Sequence, residues 1–260
     1  MGSAVSRTIL AVRGLGIHAG DRILVRDFDL DVRCGECVAL LGRNGAGKSL
    51  TLHALAGLER AGAGTISLDG RALDGLPRRA IAQRIGLLLQ DPESGHSETA
   101  LETVLVGRHP HLAPWQWERD EDRRLARSML TRVGLGDCGA RRTGSLSGGE
   151  QRRVAMATLL AQQPAVYLLD EPTNHLDPHH QLAVLDLFRE QTHGGHAVVA
   201  TLHDPSLAAR YADRAVLLFG DGRWLAGPVD EVLTPEHLSA LYLVRIVVAE
   251  VEGRRVFVAA

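Results

Sequence analysis

Lysine is nearly missing from this chain. Of 29 basic residues one is lysine, Lys48, and the remaining 28 (29 − 1) are arginine. Excess charge of either sign is missing too: 31 acidic residues against 29 basic ones leave a net charge of −2. That balance gives no electrostatic reason to expect nucleic acid, or a strongly anionic membrane surface, as the main partner. No apolar run approaches the roughly 18–20 residues needed to span a bilayer, so membrane association is expected through a partner chain. Residues 1–6 carry the letters of a myristoylation site. The pattern is loose, and without a charged segment followed by a long apolar one it is read as an irregular terminus rather than a signal peptide. Cysteine is scarce, with only Cys34, Cys37 and Cys138. An odd, sparse set does not suggest a disulfide framework and fits reduced cytoplasmic thiols. Cys34 and Cys37 have C-x-x-C spacing, but no second pair completes a tetrahedral metal site. They read as a turn cysteine followed by a buried strand cysteine.

What is present is an alternation of strand and helix patterns. The 260 residues suit one α/β domain with an insertion, or two small domains. Residues 8–13 and 23–33 read as strands around an Ala19-Gly20-Asp21 turn, and 64–68 as another; these early strands look antiparallel. The apolar run 38–41 reads as a fully buried strand leading into a glycine loop at 42–49, and 50–58 has helical apolar spacing. Further apolar strands are expected at 85–89, 165–169, 197–201 and 214–219, with helical patterns between most of them, which predicts a largely parallel sheet covered by helices. Strand patterns vanish between about 91 and 163, so that stretch is read as a helical insertion. The tail carries a helix at 235–242 and two short strand-like runs separated by Gly253.

Three motifs carry the chemistry. Gly42-Arg43-Asn44-Gly45-Ala46-Gly47-Lys48-Ser49 matches G-x-x-x-x-G-K-[ST] in full. Glycines let successive backbone N–H groups face phosphate oxygens, and the following helix adds its positive end. Lys48 supplies a point charge to the β- and γ-phosphates, and the Ser49 hydroxyl suits Mg²⁺. The apolar run before Asp170 and Glu171 reads as a buried strand ending in two carboxylates, the first suited to Mg²⁺ and the second to a general base for water. Leu146-Ser147-Gly148-Gly149-Glu150-Gln151 offers a hydroxyl, bare backbone N–H groups and the start of a helix over 150–161 to an anion.

With this third motif the chain resembles the ABC transporter ATPases, from about residue 8 to 245. The resemblance implies a P-loop NTPase fold with a RecA-like sheet, an antiparallel β subdomain and a helical subdomain at about 91–163, leaving 246–260 as a short tail. It implies that Gln90 touches Mg²⁺ or the water, that Asp177 in Asn174-His175-Leu176-Asp177 makes dimer contacts, and that His203 bonds the γ-phosphate. It further implies catalysis by Glu171, His203, Gln90 and Lys48, nucleotide binding by 42–50, and Mg²⁺ bound with ATP by Ser49, Gln90 and Asp170. Two copies would pair head to tail, each ATP lying between the 42–49 loop of one and Ser147 to Glu150 of the other.

Two positions depart from the family pattern. Leu50 stands where many members have threonine, removing a hydroxyl near the α-phosphate. Ile17-His18-Ala19 offers only His18 where members often stack an aromatic on adenine.

The segment 103–111, with Gly107-Arg108-His109-Pro110-His111, and Gln181 after Asp177 look like the importer subgroup for iron–siderophore, cobalamin and haem. That implies membrane permease subunits as direct partners, an external binding protein as an indirect one, and a place on the inner face of the membrane. His109, His111, His175, His179 and His180 read as surface and helix-start residues rather than a metal site. The first rival is a soluble, non-transport ABC ATPase, such as an iron–sulfur assembly or ribosome-associated cassette. The 107–111 segment argues against it, and the ribosome-associated class usually fuses two cassettes. The second is a P-loop kinase, opposed by 146–151 and by a Glu directly after Asp170.

Overall fold

The chain opens on two long strands, β1 (Thr8–Ala19) and β2 (Arg22–Arg33), joined through Gly20 and Asp21. The structure is a computed structural model that describes residues 7–59, 62–90, 97–113, 115–174 and 176–260. Every residue of β3 (Cys37–Gly42) is buried, and α1 (Lys48–Leu55) follows it across the glycine loop. Next come β4 (Ala63–Leu68), β5 (Arg71–Ala72), α2 (Arg78–Ala82) and β6 (Ile85–Leu88). After β6 the described chain is helical: α3 (Ala100–Val106), α4 (Asp120–Arg132) and α5 (Gly148–Gln162). It then alternates through β7 (Val166–Leu169), α6 (Pro178–His193), β8 (Ala197–Thr201), α7 (Pro205–Tyr211), β9 (Arg214–Leu218) and β10 (Trp224–Pro228). Two short helices, α8 (Val229–Val232) and α9 (Pro235–Tyr242), precede a hairpin of β11 (Ile246–Val251) and β12 (Arg254–Ala259).

The central sheet has six strands in the order β10-β9-β3-β8-β7-β6, parallel except for β10 at one edge. A second sheet, β2-β1-β4-β5, is antiparallel throughout. Side chains alternate between the faces of each central strand. Val38 and Leu40 therefore join Leu168, Val199 and Val216 in a core shared with α1 and the antiparallel sheet. Ala39 and Leu41 face the opposite side, under Leu185, Leu202, Tyr211 and Leu238 from α6, α7, α9 and the loop after β8. Both faces are covered, which explains why the central strands read as continuous apolar runs. Truncating Leu40 or Leu168, each at most 1% exposed, to alanine should cost roughly 2–5 kcal/mol.

A further core packs α3, α4, α5 and α6 against Tyr167, Leu169, Val198 and Ala200 of the central sheet. Gly107, at the end of α3, lets the backbones of α3 and α5 meet: a Cβ there would sit 2.2 Å from the Thr158 carbonyl oxygen. Arg108 then reaches inward, to Asp122 of α4 at 2.9 Å and to the Ala161 carbonyl of α5 at 2.8 Å. Nearby, the His111 ring bonds the Gln162 carbonyl at 2.8 Å. Much of the 107–111 segment is thus spent on holding the helical cluster together.

Three strands exceed the sequence expectation. β1 continues to Ala19 through register shifts between Val12 and Leu15 and between Leu15 and Ile17, where Gly14 and Gly16 break the apolar alternation. The short β5 and the edge strand β10 have no counterpart in it. Among the described residues no helix is long and apolar enough to cross a membrane.

Candidate functional site

Parallel strands point their carboxyl ends at one edge of the sheet, and ligands of open α/β sheets bind there. The adjacent strands β3, β8, β7 and β6 deliver four segments to that edge: the 42–49 loop, His203, the Asp170-Glu171 pair and Gln90. With strands about 4.8 Å apart, the row spans on the order of 15 Å. A cleft of about 600 Å³ opens over it, lined by Ala19, Leu24, Asn44, Gly45, Gly47, Lys48, Ser49, Leu50, Gln90, Glu171, Asn174 and His203.

The loop is built for an anion. Gly47 caps α1 with φ 97°, a left-handed conformation that side chains disfavour, and Leu24 packs against the space where its Cβ would stand. Lys48 is buried and folds back over its own loop, donating to the Gly42 carbonyl at 2.9 Å and the Arg43 carbonyl at 3.4 Å. Burial holds its ammonium below the usual lysine value, while Glu171 and Asp170 pull the other way. Gly42 and Ala46 are buried, and Arg43 is exposed. Leu50 lines the cleft and packs on the core. The neighbouring Thr51 hydroxyl is turned inward, donating to the Gly47 carbonyl at 2.8 Å.

The carboxylate pair is held from several sides. The Thr201 hydroxyl donates to Asp170 Oδ1 at 2.8 Å and accepts the Glu171 N–H at 2.7 Å. Glu171 itself adopts φ 47°, which is strained for a non-glycine residue and persists only where surroundings enforce it. One of its carboxylate oxygens lies 2.7 Å from His203 Nε2, and the other accepts from Asn174 Nδ2. From the far side, Arg152 of α5 donates to the carbonyls of Leu89, Gln90, Asp170 and Glu171.

The residues from Leu146 to Gln151 do not line this cleft. Leu146 is buried and Gln151 binds the Thr143 and Leu146 carbonyls, at 3.1 and 3.2 Å. Ser147 and Glu150 close a reciprocal cap on α5: the Ser147 N–H reaches Glu150 Oε2 at 2.8 Å, and the Glu150 N–H reaches Ser147 Oγ at 3.3 Å. Gly148 and Gly149 stand exposed and have no positive φ; a Cβ added at either would meet nothing within 4 Å among the described residues. No contact among those residues requires glycine at either position.

Asp177 caps α6 and bonds His180, through the backbone at 3.0 Å and through the ring Nδ1 at 2.8 Å. It is exposed. His175 lies outside the described residues, as do the first residues of the expected insertion, 91–96, and the N-terminal residues 1–6. His18 turns its ring toward Gly62, while Ala19 and Leu24 face the cleft. Among the described residues no group of three His, Cys, Asp or Glu side chains could hold a metal ion on its own.

Asn174, Thr201 and Arg152 were missed as site residues. Asn174 stood in a motif read for its aspartate, and Thr201 two residues before the histidine. Arg152 did leave a signal: with Met156 and Leu159 it falls at i, i+4 and i+7, a charge on an apolar helix stripe.

A phosphate loop, a strand-end carboxylate pair and a helix start behind Ser-Gly-Gly define a nucleotide-hydrolysing cassette. A family model described as "ABC transporter" matches residues 25–174, and the chain belongs to that family. The hemin import ATP-binding protein of Gloeobacter violaceus is 41% identical over 239 residues, covering 89% of this chain and 86% of that one. The fold matches that of a metal-chelate type ABC transporter in an inward-facing conformation, with TM-score 0.85, 28% identity and 98% of each chain covered. It also matches a dimeric structure of a bacterial ABC transporter cassette, with TM-score 0.76, 25% identity, 85% of this chain and 99% of that one covered.

Proposed function

We propose that this chain is the ATP-hydrolysing subunit of an importer for a metal chelate of the haem, cobalamin or iron–siderophore class. In this reading residues 8–245 form the cassette, with a helical subdomain at about 91–163 that meets the permease subunits at the inner face of the membrane. The tail 246–260 is an appendage. The external binding protein is reached only through the permease.

The 42–49 loop and Lys48 take the phosphates, and Leu50 contributes an apolar contact in place of a hydroxyl. Asn174 and His203 aim the Glu171 carboxylate, which accepts a proton from the attacking water. Ser49, Gln90 and Asp170 present the hard oxygen donors that Mg²⁺ prefers, so the donor set fits that ion. When bound, Mg²⁺ neutralises charge on the phosphoryl oxygens.

The observation that carries the dimer is at Gly148 and Gly149. Glycine there serves no contact among the described residues of the protomer, so its bare backbone is open to a surface brought up from outside. A second copy supplies it, placing Ser147 and the N-terminus of α5 on the γ-phosphate of ATP held by the partner's loop. Leu146 and Gln151 anchor that segment, and Asp177 lies on the same interface. Glu171→Gln should bind Mg-ATP, cease turnover and run as a dimer in size-exclusion chromatography. A variant that stays monomeric at saturating Mg-ATP would refute the head-to-tail pair.

A further inference from the structure

Arg152 lies one turn beyond the Ser147 cap, on the buried side of α5, and is 6% exposed. Its guanidinium is a planar fork, and both prongs are used. Nη1 donates to the carbonyls of Leu89 and Gln90, the latter at 2.6 Å, where the chain leaves β6. Nη2 donates to the carbonyls of Asp170 and Glu171, at 2.9 and 3.0 Å, where it leaves β7. Charge-assisted bonds from a buried guanidinium are among the stronger polar contacts a protein makes. One of these four carbonyls belongs to Glu171, whose φ of 47° has to be imposed by its neighbours. Thr201 fixes the N–H side of that residue, and Arg152 fixes the carbonyl side.

We propose that Arg152 is a positioning residue linking the two ATP sites: seating Ser147 on the partner's nucleotide sets, through Arg152, the backbone of Glu171 and Gln90 in its own protomer. This rests on the reading of Ser147 to Glu150 as half of a site shared between two copies. Helix α5 is rigid over this short distance, so a small shift at its first turn reaches the two strand ends with little loss. Each protomer then senses, at its own base, whether it has engaged the other's ATP.

Arg152→Gln and Arg152→Lys in the full chain test the link. Lysine keeps the charge but offers one donor centre, which cannot hold two pairs of carbonyls in a fixed plane. Both variants should lose about 10- to 100-fold in kcat with ATP affinity by calorimetry within about twofold. The Hill coefficient for ATP hydrolysis should fall from near 2 in the wild-type chain to about 1. A merely structural arginine would not move the Hill coefficient, and lysine would restore much of its effect. In the unmutated chain, the Arg152 guanidinium signals should shift in NMR spectra when Mg-ATP drives pairing.

Wild-type Hill coefficients in both variants, or guanidinium signals unmoved by Mg-ATP-driven pairing, would overturn the proposal. Failure of the shared site is separable, because Glu171→Gln would then remain monomeric with Arg152 intact.

Discussion

His203 and Glu171 are bonded directly, Nε2 to Oε1 at 2.7 Å, at the ends of neighbouring strands. A carboxylate only accepts, so the proton in that bond is carried by the imidazole. The histidine thereby fixes the rotamer of the Glu171 carboxylate over the cleft. His203→Ala should lower kcat about 10²- to 10³-fold with little change in ATP affinity, as steady-state kinetics and calorimetry would show. An equal loss in both would place the histidine in nucleotide binding instead.

Asn174 occupies the other oxygen of the same carboxylate. Asn174→Ala should lower kcat by about tenfold at nearly constant KM, the mark of lost alignment. A raised KM at unchanged kcat would place Asn174 in nucleotide binding instead.

The thiol of Cys37 is pushed up to about 12, chiefly by burial and then by the Asp213 carboxylate. At about pH 8 only on the order of one molecule in ten thousand would carry the thiolate. Iodoacetamide should leave Cys37 unmodified in the native chain and label it after denaturation, read by peptide mass mapping. Rapid native labelling would show that β3 opens locally.

Burial raises Asp213, but bonds from Arg189, at 2.7 and 2.9 Å, and from the Cys37 N–H, at 2.8 Å, outweigh it and leave its carboxyl below the ordinary aspartate value. A lowered folded value stabilises above the unfolded value near 3.8, and that contribution is lost as pH falls through the folded one. The melting temperature of the wild-type chain should fall more steeply than that of Asp213→Asn between about pH 5 and pH 2. Parallel curves would mean the ion pair adds nothing.

Gly107→Ala brings a methyl against the Thr158 carbonyl and must push α3 away from α5. Thermal melts should report a loss of about 1–3 kcal/mol, the usual penalty of overpacking. Unchanged melting would show that the helices yield freely.

How far the amino-acid sequence alone discloses this architecture depends on the kind of signal. The central strands are readable because a sheet covered on both faces needs unbroken apolar runs such as that in β7. The phosphate loop is readable because glycine, lysine and serine at fixed spacing have few other uses. β10 is not, since Trp224 to Pro228 neither alternates nor avoids Gly and Pro, and it is a strand only because β9 offers an edge. The extension of β1 is hidden by the glycines that make its irregular register possible. Arg152 escapes notice because a charge reads as surface, and only backbone carbonyls distant in sequence make its burial tolerable.

The left-handed backbone at Glu171 has an evolutionary consequence. Glycine or asparagine would sit there with less strain, so selection for heat resistance alone would drift toward them. With Glu171 as the base proposed above, selection for turnover would hold glutamate there. The position is therefore a place where stability and activity are in direct opposition, and a thermostabilised lineage that had stopped hydrolysing ATP should betray itself there first.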